Sequence, residues 1–109
     1  MLDPMAASRK RPERTARRAE EREARKRVRD REKLAALSPG GARERPIAVA
    51  SAAVIEGRAR SLACPQCEGQ YRIRDHRSAG PGVRCVDVIC QQCGAPRTLW
   101  FRITVDEPN

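Results

Sequence analysis

Cys64-Pro65-Gln66-Cys67, followed after 22 residues by Cys90-Gln91-Gln92-Cys93-Gly94, decides how this chain is read. A two-residue spacer lets a tight turn aim two sulfurs at one point. Two such turns supply four soft ligands at tetrahedral corners, the pattern of a four-thiolate zinc site. Gly69 and Gly94 lie just beyond each pair and offer the positive φ such turns need. Five cysteines, an odd number, fit four ligands and a spare better than a disulfide framework.

Composition shows why a metal is needed. The chain has 109 residues, of which 34% are charged and 3% aromatic. Tyr71, Trp100 and Phe101 are the only aromatics, so no large core can form. The second half is near the lower size limit for a hydrophobic core alone. A structural zinc supplies on the order of 10–16 kcal/mol of apparent binding free energy, which is then folding free energy.

The formal charge of +9 is uneven: residues 1–45 hold 15 basic and 8 acidic side chains, residues 46–109 hold 8 and 6. Four thiolates around one Zn2+ change the second half by −2, leaving it close to neutral. The basicity belongs to the N-terminal arm. No apolar leader follows the charged N-terminus, and the run from Ile47 to Ile55 is too short to span a bilayer. A cytoplasmic, reducing setting without membrane attachment is the expectation, and there paired cysteines bind metal more often than they form disulfides.

Taken in order, residues 1–11 read as a disordered tail and Pro12 suits the first turn of a helix. Residues 12–37 contain Arg, Glu, Ala and Lys without further Pro or Gly, a charged Arg/Glu-rich helix about 39 Å long. Favourable i,i+4 pairs such as Glu21–Arg25 are offset by repulsive ones such as Arg14–Arg18. Ala16, Ala19, Ala24, Val28, Leu34 and Leu37 sustain no heptad, which argues against a coiled coil. Its charge reads equally as attraction to a polyanion or as a solvated arm, because acids interleave the bases.

Residues 38–46 read as a linker and 47–61 as a short strand/helix element, with Ser51 as its cap and Val54, Ile55, Ala59 and Leu62 on its apolar side. Strands are expected over Tyr71–Asp75, Val83–Ile89 and Arg97–Val105, with Ser78 to Gly82 as a turn. Leu99, Phe101, Ile103 and Val105 share one face of the last strand, and Trp100 lies on the other. Cys85, five positions from Cys90, faces the opposite side and reads as a small buried hydrophobe. His76, alone at a strand end, reads as a surface residue.

Knuckle, hairpin, knuckle and a closing strand over residues 62–105 resemble the zinc-ribbon family, found in transcription factors, RNA polymerase subunits, ribosomal proteins and many bacterial proteins. The resemblance implies a small metal-stabilised β domain over 62–109: a three-stranded antiparallel zinc ribbon, preceded by the short element and the charged helix. It implies Cys64, Cys67, Cys90 and Cys93 as ligands of one structural Zn2+. The sequence departs from the family at Glu68, where Gly is usual, and at the hairpin tip, which lacks the Asp-Glu pair of elongation-factor ribbons. Iron, as in rubredoxin-like domains, calls for more aromatics; a redox dithiol calls for an α/β setting.

A closed four-thiolate shell leaves no open metal position, and no nucleophile–base pair or phosphate loop is legible, so no enzyme and no small-molecule substrate are expected. Two readings remain. One is a binding module for nucleic acid, or for a protein of a nucleic-acid machine, with Arg72, Arg74, Arg97, Trp100 and Arg102 as candidate contacts. The other is a protein–protein adaptor with a purely structural zinc site.

Overall fold

The computed structural model describes residues 10–104. Helix α1 spans Lys10–Leu37, two residues earlier than expected, with Pro12 in the first turn where a missing N–H is tolerated. Residues 1–9 of the expected tail lie outside the described residues, as does Val105 of the expected last strand. The chain divides into two compact units, at Asp30 and Arg31, inside this helix rather than after it. In the first unit, side chains from Glu13 to Asp30 are almost all exposed, and Glu21 pairs with Arg25 at 3.6 Å. No helix among the described residues is long and apolar enough to cross a membrane.

The second unit contains the end of α1, strand β1 (Ile47–Val49), a 3-10 turn (Ala52–Val54), helix α2 (Ile55–Ser61), and strands β2 (Tyr71–Gly80), β3 (Val83–Cys90) and β4 (Pro96–Ile103). Its sheet has four strands in the order β1-β4-β3-β2. β2, β3 and β4 are antiparallel, and β1 joins the β4 edge in parallel, Ile47 beside Phe101. The sheet is therefore mixed and four-stranded, not the expected three-stranded antiparallel ribbon. Residues 47–49 do not pack on a ribbon from outside; they extend its hydrogen bonding. The stretch 38–46 is also engaged, since Gly40 O accepts the Trp100 N–H at 2.9 Å.

Pleating sorts the side chains. Tyr71, Val86, Val88, Leu99 and Phe101 form the front face, sealed by Ile55 and Ala59 of α2 and by Ile47 and Val49. Ser51 precedes the 3-10 turn without a side-chain capping bond, and Val54 is exposed, so the apolar side of 52–61 is narrower than expected. On the back face, cross-strand pairs place Arg77 beside Cys85 and Cys85 beside Trp100. Cys85 is buried there, outside the front core, and accepts a hydrogen bond from Arg77 Nε at 3.2 Å. Arg43 lies over the Trp100 ring at 5.9 Å and donates to Ala79 O, crossing the back face from the loop.

Two sequence expectations change in β2. The strand continues to Gly80, so the turn shrinks to Pro81 and Gly82. Its register shifts between Ile73 and Asp75, and the extra residue returns His76 to the front face opposite Val86. His76 is consequently no surface residue: its side chain is 18% exposed and its Nδ1 lies 3.8 Å from Glu56 of α2.

Phe101 is fully buried at the centre of the front core. Phe101→Ala should destabilise the unit by about 3–5 kcal/mol, measured by denaturant unfolding of the metal-loaded protein. A loss under about 1 kcal/mol would show that the core is held elsewhere.

Candidate metal centre

Two nearly equivalent turns build the site at one end of the β2–β3–β4 sheet. In the first, Glu68 N–H donates to Cys64 O at 2.7 Å and Cys64 N–H to Gly69 O at 2.9 Å. In the second, Gly94 N–H donates to Cys90 O and Cys90 N–H to Ala95 O, both at 3.0 Å. A bond from Gln91 N–H to Gln70 O at 2.9 Å ties the turns together. The residue after the second cysteine of each pair, Glu68 or Gly94, has positive φ, at 64° and 76°.

The first turn departs from expectation here. Glu68, not Gly69, adopts the left-handed conformation, at a cost of about 1–2 kcal/mol for a residue with a Cβ. Gly69 is required for a different reason. A Cβ there would come within 2.7 Å of Cys90 Sγ and 3.1 Å of Cys67 Sγ. Its missing side chain leaves room for the sulfurs.

Cys64, Cys67, Cys90 and Cys93 are brought together with all four Sγ atoms within 4.8 Å of one another. Cys64 and Cys93 are 3.7 Å apart, Cys67 and Cys90 3.4 Å. A tetrahedral shell with zinc–sulfur bonds of about 2.3 Å has sulfur–sulfur edges of about 3.8 Å, and a disulfide would need about 2.05 Å. The spacing therefore suits four ligands around a central ion. Backbone amides support the same reading: Gly69 N–H donates to Cys67 Sγ, and Gln92 and Cys93 N–H to Cys90 Sγ, each at 3.4 Å. Such bonds stabilise thiolate charge. The Cys93 N–H first, with Gln92, draws the Cys90 thiol down to about 6 against burial. Burial, and then the facing Cys90, push the Cys67 thiol up to about 12.

A polar network surrounds the first turn, and sequence reading did not anticipate it. Arg97, on the front face with Leu99, donates through Nε to Tyr71 OH at 3.0 Å and through Nη2 to Glu32 Oε1 at 2.7 Å. Gln66 Nε2 also donates to Glu32 Oε1, at 2.8 Å, and Arg31 Nη1 to Gln66 O at 3.2 Å. Partial burial raises the Glu32 pKa, but the bonds from Gln66 and Arg97 outweigh it and hold the carboxyl below its ordinary range.

Of the candidate contact residues, Arg97 is thus directed inward, its side chain 9% exposed. Arg72, Arg74 and Arg102 are exposed, and Trp100 is half-buried under Arg43. The structure does not gather these five into one patch with Arg97. Comparison with protein-family models, curated proteins and solved structures finds no match to this chain.

Two substitutions separate backbone conformation from volume. Glu68→Gly relieves the positive φ and should raise the unfolding midpoint, by about 0.5–1 kcal/mol in stability after the entropy of the added glycine. Gly69→Ala should instead weaken metal binding, as read by competition with a chromogenic chelator. Unchanged metal affinity in Gly69→Ala would show that the sulfurs do not need that space.

Proposed function

We propose that residues 31–104 form a zinc-ribbon-like module whose four thiolates bind one structural Zn2+, in a non-enzymatic protein that associates with nucleic acid through its basic helix. The convergence of four sulfurs within 4.8 Å carries the metal reading. Zinc fits an all-thiolate tetrahedral set, and four protein ligands leave no position for substrate or activated water. Its role is then to hold the two turns, and through them β2, β3 and β4, in register.

The nucleic-acid reading rests on charge. Residues 10–30 hold ten basic and five acidic side chains, and those described from Glu13 onward are almost wholly exposed. Phosphate contacts made by such an arm release counterions, so affinity falls steeply with salt. The exposed Arg72, Arg74 and Arg102 add positive charge on the module, although Asp75 shares β2 with the first two and Asp87 lies on the intervening β3.

One observation favours an adaptor instead. Leu34 and Leu37 are 64% and 60% exposed, beside a cleft of about 340 Å3 that Leu34 lines with Ala35, Leu62, Pro65 and Leu99. The cleft is also lined by Arg31 and Arg97 but is mainly apolar, so a contact there would depend on salt less than phosphate binding does.

Elemental analysis of freshly purified reduced protein should give one zinc per chain; iron, or no metal, refutes the site. Fluorescence anisotropy with mixed-sequence single- and double-stranded DNA and RNA should detect binding by the full chain at 50 mM salt that weakens at least tenfold at 200 mM. Replacing Arg17, Arg18, Arg22 and Arg25 with Gln should abolish it. No binding at low salt sinks the nucleic-acid reading and leaves the adaptor.

A further inference from the structure

The network beside the first turn is continuous. Tyr71 shares the buried front core with Cys64. It accepts from Arg97, Arg97 donates to Glu32, and Glu32 accepts from Gln66, which stands between the two cysteines of the first pair. The circuit runs from a core residue packed with Cys64 to the turn that carries that sulfur. Glu32 is its single member on α1.

We infer that Tyr71, Arg97 and Glu32 are positioning residues of the metal centre, and that they tie docking of helix residues 31–37 to metal occupancy. This rests on the reading of the cysteines as zinc ligands. Four thiolates around a divalent cation leave a net charge of −2. A guanidinium held beside the first turn offsets part of it, and the bonds through Tyr71, Glu32 and Gln66 hold that turn in place. Arg97 is almost fully covered, so it needs an anionic partner, and Glu32 supplies one. Glu32 can do so only while the end of α1 stays in place.

The dependence also runs from the centre to the helix. Over residues 31–37 only Ala35 is buried, and Leu34 and Leu37 face solvent. Apolar burial therefore holds this segment weakly. Of its polar anchors, Glu32 to Gln66 and, beside the circuit, Arg31 to Gln66 O depend directly on the conformation of the first turn, and Glu32 to Arg97 completes the set. When metal leaves and the turn relaxes, those anchors lose their geometry. The final turns of α1 then detach from the module, and metal occupancy controls how the basic segment is tethered.

Tyr71→Phe keeps the core ring and removes the hydroxyl. Glu32→Gln changes one half-exposed group and leaves the cysteines and front core intact. Each should weaken zinc binding about tenfold in chelator competition, whereas Glu21→Gln, outside the network, should not. In zinc-saturated Glu32→Gln, amide hydrogen exchange over 31–37 should accelerate at least tenfold while β3 stays protected. Wild-type zinc affinity in both network variants, or wild-type protection of 31–37 in Glu32→Gln, overturns the coupling and leaves the metal site standing. Absence of zinc from the wild-type protein overturns both.

Discussion

Four sulfur atoms held within 4.8 Å at the end of a four-stranded sheet are the constraint on which the second unit depends. Its front core consists mainly of short aliphatic side chains around Tyr71 and Phe101, too few to fix two hairpin ends by burial alone. Uncompensated thiolates packed this closely would repel one another. A bound cation turns that repulsion into attraction, and the free energy of binding becomes folding free energy. The backbone anticipates this, since amide N–H groups already point at Cys67 and Cys90.

The parts of the fold legible in the sequence are those written in local chemistry. The two cysteine turns, the alternation of Val86 and Val88, and that of Leu99 and Phe101 all depend on spacing within a few residues. The parallel pairing of Ile47–Val49 with β4 does not, because a three-residue strand carries no information about its partner. Nor does the fate of His76: one extra residue near Arg74 reverses the inside–outside order of the strand, and no composition signal marks it. Arg97 is the instructive case. Alternation already placed it on the face of Leu99 and Phe101, but a cation is read as solvent-facing unless its partner is known. That partner, Glu32, lies 65 residues away in a helix whose charges look uniformly solvated.

The inward turn of Arg97 also redistributes the electrostatic argument. With one candidate contact paired with Glu32 and another, Trp100, lying under Arg43, the candidate contacts left exposed on the module are Arg72, Arg74 and Arg102. The positive charge is concentrated in residues 10–30, which hold ten basic and five acidic side chains. Under the proposed function the two parts divide the work, the module supplying shape and the helix supplying charge. Such a chain gains specificity only if the two parts act together, which gives the link between them functional weight.

Adjacent residues of the first turn show how tightly that link is built. Glu68 accepts an unfavourable φ although glycine would suit it, while glycine occupies the next position because the sulfurs need the volume. In the second turn the positive φ falls on Gly94 and no such conflict arises. The turn that bears strain is also the one held from outside, by Glu32 through Gln66. Strained backbone persists where its surroundings over-determine it, and here the surroundings include a helix residue that the sheet itself does not require. The first turn is therefore the more conditional half of the site: under the proposed coupling its geometry depends on the metal on one side and on Glu32 on the other.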